Sequence, residues 1–207
     1  MVIATSKKDY RERLGTGLGA HFRTGKVNMG HIYFVRHGQT VWNVENKICG
    51  ATDSPLTENG KMQAREVGKK ILDEGIKFDE IIYSPLSRAM DTALIISETT
   101  GVSVRVEPRL IEQNFGKWEG TARDGVEFKA DKQNFATDYE GGESMLRLCQ
   151  RIYNLLDDIK AEADDKTYLL VAHNGIARAV NSYFNSMSNQ EYAAFGIKNC
   201  EIVRYDF

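Results

Sequence analysis

The sequence predicts an α/β fold in three layers, with a mostly parallel central sheet covered by helices on both faces. Three observations carry that expectation. Short apolar runs at Ile32 to Val35, Ile81 to Tyr83 and Thr167 to Ala172 read as strands buried on both sides. Between them lie segments whose apolar residues recur at spacings of three and four, the helical period. Alternation of the two along the chain implies βαβ units, which require parallel strands with crossover helices on the faces of the sheet.

The elements follow in order. Residues 1 to 28 carry six Lys or Arg, two acids and four glycines without periodicity, and read as a disordered tail or an upstream extension preceding a start at Met29. A single domain is expected over 29 to 207. Its first strand, Ile32 to Val35, ends in Arg36-His37-Gly38, and a polar loop follows to Thr57. Thr57 suits the N-cap of a helix striped by Ala64, Val67, Ile71 and Leu72, with Gly75 at its C-terminal turn. Ile81 to Tyr83 is the second strand, and Pro85 suits the first position of the helix striped by Leu86, Ala89, Met90, Ala93 and Leu94. Val102 to Val106 alternates as a third strand, and Leu110 to Gly120 reads as a loop. Residues 121 to 140 are polar and weakly helical. The strongest amphipathic pattern follows Ser144, with Met145, Leu148, Cys149, Ile152, Leu155, Leu156 and Ile159 on one face. Thr167 to Ala172 ends in His173-Asn174-Gly175, a helix opens at once, and Glu201 to Tyr205 alternates as an edge strand.

The whole-chain balance limits the functions open to it. With 27 basic and 29 acidic residues the net charge is −2, so no nucleic-acid or anionic-membrane footprint is expected. No apolar stretch approaches the ~20 residues that span a bilayer. Three widely spaced cysteines, Cys49, Cys149 and Cys200, suit neither a disulfide framework nor a zinc cluster, and point to a reducing cytoplasm.

In a parallel sheet the strand C-termini share one edge, which is where open α/β sheets bind ligands. Arg36 and His37 end one strand, His173 ends another, and Arg88 lies in the first turn of the helix after a third. Four cationic or titratable side chains should therefore meet among helix N-termini, a setting for a compact anion such as phosphate. The sequence lacks a Gly-x-x-x-x-Gly-Lys-[Ser/Thr] loop and a spaced metal-ligand set, so neither nucleotide triphosphate hydrolysis nor a metal cofactor is expected. Without metal, phosphoryl transfer needs cations on the equatorial oxygens and an in-line nucleophile, a role open to a neutral imidazole. It also needs an acid for the leaving alcohol, for which Glu112 and Glu119 are both available.

The run Phe34-Val35-Arg36-His37-Gly38-Gln39-Thr40-Val41-Trp42-Asn43 resembles the signature of the histidine phosphatase superfamily, whose fold is phosphoglycerate mutase-like. The likeness continues through Gly50, Asp53 to Thr57, Ser84 to Ala89 with Thr92-Ala93, Glu112 to Gly120, Gly141 to Ser144, and Ala172 to Gly175, in family order. The resemblance implies that His37 is the phosphorylated nucleophile and that Arg36, Arg88 and His173 clamp the phosphoryl group. It further implies that Glu112 is the general acid and base, with Asn43, Gly50, Gln113 and Asn174 as substrate contacts. The family's mutases carry Arg and Tyr around the acid where this chain has Gln113 and Phe115, and a longer, cation-rich insertion where residues 117 to 142 hold one arginine, Arg123. A cation-poor wall should retain a bisphosphorylated intermediate weakly. The expectation is therefore a phosphomonoesterase acting on a small phosphate ester, with a phosphoglycerate mutase and a non-catalytic phosphate-binding module as rivals. The C-terminal edge strand offers a means of homodimer pairing.

Overall fold

The computed structural model describes residues 30–207, so the expectations for residues 1 to 29 lie outside the described residues. Five strands form one sheet: β1 (His31–Arg36), β2 (Glu80–Tyr83), β3 (Val104–Val106), β4 (Tyr168–Ala172) and β5 (Ile202–Asp206), in the spatial order β3-β2-β4-β1-β5. All neighbours run parallel except β5, which pairs antiparallel with β1 at one edge. Among the described residues seven α-helices accompany them: α1 (Val41–Val44), α2 (Glu58–Asp73), α3 (Ser87–Thr100), α4 (Val126–Asp131), α5 (Met145–Glu162), α6 (Asn174–Phe184) and α7 (Asn189–Ala194).

Period-two alternation of the strands divides the core between two faces. Ile32, Phe34, Leu170 and Ala172 point to one side and pack with the α5 stripe and with Ile176, Ala177 and Val180 of α6. Val35, Ile81, Leu169 and Val171 point to the other and pack with Val67 and Ile71 of α2 and Ala89, Ala93 and Ile96 of α3. The three layers follow directly. A third, smaller cluster of Ile48, Phe115, Phe128 and Tyr139 lies under the loops. It seats residues 121 to 140, where α4 is the short helix that weak periodicity left unplaced. No helix among the described residues is long and apolar enough to cross a membrane.

The cap at Thr57 forms as the sequence predicts and Ser144 caps α5 in the same way, each hydroxyl accepting from the backbone N–H three residues on. Gly75 follows α2 at φ 65°. Two boundaries move. α3 starts at Ser87 with Leu86 as its N-cap, two residues later than Pro85 suggests. Ser84 is the cause: its N–H donates to Val171 O and its hydroxyl is tied to His173, so the chain must leave the sheet edge before it can coil. β3 starts at Val104, because Val102 is spent closing α3, its carbonyl accepting from Ser97 and its N–H donating to Thr100.

Register aligns the strand ends. Arg36 stands opposite Ala172, and Tyr83 opposite Val171. The residues that follow, His37, His173 and Ser84, therefore emerge side by side at the C-terminal edge of the parallel strands.

Candidate active site

His37 is buried, and its N–H extends the β1–β4 ladder by donating to Ala172 O at 2.9 Å. Its ring Nδ1 lies 2.7 Å from Gly38 O. A carbonyl can only accept, so Nδ1 carries the proton and Nε2 the lone pair. Burial, then the charges of Arg36 and Arg88, push this imidazole well below its ordinary pKa, so it is neutral at neutral pH. The ring lines a chamber of about 110 Å³ at the sheet edge.

His173 sits against it, the ring centroids 5.1 Å apart. Arg88 Nε donates to His173 Nδ1 at 3.2 Å, which leaves His173 Nε2–H to donate to Ser84 Oγ at 2.6 Å. Both ring nitrogens are thus engaged, and burial and the neighbouring Arg88 keep this imidazole neutral too. Arg88 is fully buried, with its fork on Gly50 O at 2.6 Å, Thr52 O at 3.0 Å and Asp53 at 3.3 Å. Arg88 and His173 therefore stand behind His37, and neither lines the chamber.

Arg36 does line it. Its Nη1 donates to Ile197 O at 2.9 Å, while its Nε is buried without a partner. Burial and repulsion from Arg123 lower its pKa to about 10, still fully cationic at neutral pH.

The two candidate acids separate cleanly. Glu112 is buried and is the one carboxylate lining the chamber. Its oxygens accept from Gln113 N and from Gly175 N, each at 2.9 Å, the latter at the N-terminal turn of α6, where the helix dipole favours negative charge. Glu119 instead accepts from four backbone N–H groups, of Gly50, Ala51, Thr52 and Phe115. Its work is to fold the loop whose carbonyls hold Arg88.

Of the expected substrate contacts, Asn43 and Asn174 line the chamber, and Gly50 and Gln113 do not. The Asn43 carbonyl accepts from Thr40 N in a capping box, and the Asn174 carbonyl accepts from Ile197 N at 3.0 Å. Gly50 lies behind the wall, where a side chain would overlap Glu119 and Gln113. Gln113 is fully buried and donates to Glu143 O. Cys49 lines the chamber with its thiol pushed up to about 11 by burial, so it stays protonated. Trp118 packs over Phe128 with its N–H on Asp131, and the Lys47 ammonium lies over the half-exposed Trp42 ring.

The expectation of a cation-poor wall is corrected. Arg123 is joined at the chamber by Lys132 and Arg178, neither of which the sequence had marked. Arg178 carried a usable signal, since it lies four residues after Asn174 on a helix that opens at the site. Lys132 carried none, because α4 is too short to show a period.

The chain matches the model of the histidine phosphatase superfamily, branch 1, over residues 32–207. A relative described as "Probable phosphoglycerate mutase GpmB" from Erwinia tasmaniensis is 34% identical over 187 residues, covering 86% of this chain and 85% of that one. Among solved structures, a mycobacterial glucosyl-3-phosphoglycerate phosphatase complexed with VO3 superposes with a TM-score of 0.73 at 28% identity, covering 84% of this chain and 90% of that one. A mutant phosphoserine phosphatase from Entamoeba histolytica in complex with phosphoserine gives 0.72 at 29%, covering 84% and 89%.

Proposed function

The chain belongs to the histidine phosphatase superfamily, and from that premise we propose that it is a metal-independent phosphomonoesterase working through a phosphohistidine on His37. The observation that carries this reading is the neutral imidazole itself. Its Nδ1–H is committed to Gly38 O, and its ring faces a chamber lined by several cations and a single carboxylate.

His37 Nε2 attacks phosphorus in line as the bond to the leaving oxygen breaks. Glu112 gives that oxygen a proton and the alcohol leaves. Arg36 binds the phosphoryl oxygens, with its unpartnered Nε–H among the available donors, and the Arg88 charge behind His37 favours the anionic phosphoenzyme. The Glu112 carboxylate then removes a proton from water, whose oxygen attacks phosphorus and frees His37 and inorganic phosphate. The cysteines, which form no disulfide with one another, fit a cytoplasmic setting.

Alkaline quench during turnover of an aryl phosphate should trap a phosphoryl group on histidine, since the P–N bond survives alkali and not acid. His37→Ala should trap none and lose hydrolysis by more than about a thousandfold. Full activity in that variant, or tight phosphate binding with nothing trapped in the wild type, overturns the proposal. A second reading, phosphoglycerate mutase, is favoured by Arg123, Lys132 and Arg178, which supply cations able to retain a bisphosphorylated intermediate. Mutase turnover primed by 2,3-bisphosphoglycerate and far exceeding hydrolysis decides for it.

A further inference from the structure

We propose that Gln63, on the covering helix α2, is a positioning residue that sets which ring nitrogen of His37 carries the proton. As a statement about the reaction this rests on the phosphomonoesterase reading, since the step it serves is attack of Nε2 on phosphorus.

A neutral imidazole takes the tautomer its hydrogen-bond partners impose. At Nδ1 the partner of His37 is the carbonyl of Gly38, 2.7 Å away. That carbonyl belongs to the planar peptide joining Gly38 to Gln39, whose N–H points the opposite way. The N–H donates to Gln63 Oε1 at 2.9 Å. Orientation of this one plane therefore decides the tautomer. As it stands, the plane shows His37 an acceptor, so Nδ1 holds the proton and Nε2 is bare. Turned over, it would show Nδ1 a donor, which forces the proton onto Nε2 and removes the nucleophile. A catalytic imidazole held in the wrong tautomer can cost about 10⁴ in rate.

Gly38 has no side chain to resist rotation about its own bonds, so the plane must be held from outside. The peptides on either side are held independently of Gln63. Before the plane, His37 O accepts from Asn199 Nδ2 at 2.8 Å, and Gly38 N–H donates to Thr92 Oγ1 at 3.1 Å. After it, Gln39 O accepts from Thr57 N–H at 2.9 Å. The central plane depends on Gln63 for its N–H. A hydrogen bond there also polarises the amide and makes its carbonyl a better acceptor for Nδ1–H.

Helix α2 is built to bring the glutamine to that point. Gly60 and Gln63 lie three residues apart on one face. A side chain at Gly60 would overlap Gln39 O, as one at Gly38 would overlap Gly60 O. The two glycines thus let helix and loop backbones touch, which puts the Gln63 amide oxygen within reach of Gln39 N–H. Gln63 is half-buried and does not line the chamber, so its effect on the reaction passes through the peptide.

The test reads the tautomer directly. Ring 15N spectra distinguish a protonated imidazole nitrogen from a bare one, and loss of the signals in His37→Ala assigns them. At neutral pH, where the ring is uncharged, the wild type should show Nδ1 protonated and Nε2 bare. Gln63→Leu should lower that population by about threefold or more. Phosphohistidine formation from p-nitrophenyl phosphate in a single turnover should slow in proportion. Affinity for inorganic phosphate should stay within about twofold, because Gln63 touches nothing that holds the anion. Gln63→Glu, which keeps an oxygen acceptor at the same reach, should restore tautomer and rate together. A wild-type His37 spectrum in Gln63→Leu overturns the inference, as do slower formation with an unchanged tautomer and loss of phosphate affinity in step with rate. If the tautomer responds but the wild type forms no phosphohistidine, the phosphohistidine reading fails and the placement by Gln63 stands. If phosphohistidine forms and the tautomer is indifferent to Gln63, only this inference fails.

Discussion

A single hydrogen bond sets the chemistry open to His37. With Nδ1–H given to Gly38 O, the imidazole presents one tautomer and needs no rearrangement before attack. Glu112 is fixed with similar economy by two backbone N–H groups, and Gly175 supplies one of them while lacking the side chain that would overlap the carboxylate. Gly175→Ala should therefore push Glu112 aside, and Glu112→Gln should remove its proton while leaving its volume. Both should slow hydrolysis of alkyl phosphates by about 10² to 10⁴. The first step with a p-nitrophenyl ester should suffer much less, because that leaving group departs without protonation. Quenched-flow measurement on Glu112→Gln should then show phosphohistidine forming from the aryl ester and accumulating. Equal loss of its formation from both esters would remove Glu112 from the acid role. Composition and spacing left Glu112 and Glu119 open and the family resemblance chose Glu112; in the structure Glu112 lines the chamber and Glu119 does not.

The loop of residues 49 to 52 turns a remote carboxylate into support for the site. Glu119 gathers the N–H groups of Gly50, Ala51 and Thr52, and the carbonyls of Gly50 and Thr52 thereby face Arg88. Arg88 in turn fixes His173, and His173 packs on His37. Glu119→Ala should cost roughly 2–3 kcal/mol of stability, read as a lower urea midpoint. It should also cost activity through a displaced Arg88, without changing the relative rates on aryl and alkyl esters. A leaving-group effect like that of Glu112→Gln would contradict the assignment. At this scale the sequence was most legible where an element has a period and a cap. α2, α5 and α6 lie where spacing placed them, and the strand ends put Arg36, His37 and His173 together. It was least legible at α4 and the loops, whose positions depend on Ile48, Phe115, Phe128 and Tyr139 meeting from distant segments.

Across the whole molecule, charge is local rather than global. A chain of net charge −2 still brings five cations, Arg36, Arg88, Arg123, Lys132 and Arg178, to one sheet edge, with two neutral histidines buried among them. That arrangement carries a stability signature. His37 and His173 bind protons in the unfolded chain as pH falls through about 6.5, while in the folded protein both are held well below that value. The unfolded state therefore takes up more protons in this window, and stability must fall as pH falls. Between pH 6.5 and 5.5 the two together should cost on the order of 2 kcal/mol, visible in urea midpoints. Replacing His173 by Asn should flatten the slope by about half, and a profile flat from pH 7 to 5 would contradict buried neutral imidazoles.

The antiparallel edge strand has a consequence in time as well as space. Among the described residues β5 is the last element, yet it pairs along β1, and its approach delivers Cys200 N–H to Arg36 O and Asn199 to His37 O. Phe207 N–H closes on Gly30 O at the far end. During synthesis, β1 must wait for more than 160 further residues before this partner exists. Closure over so long a separation is the slow kind of contact, so Arg36 and His37 reach their final setting only after residues 199 to 206 have been made.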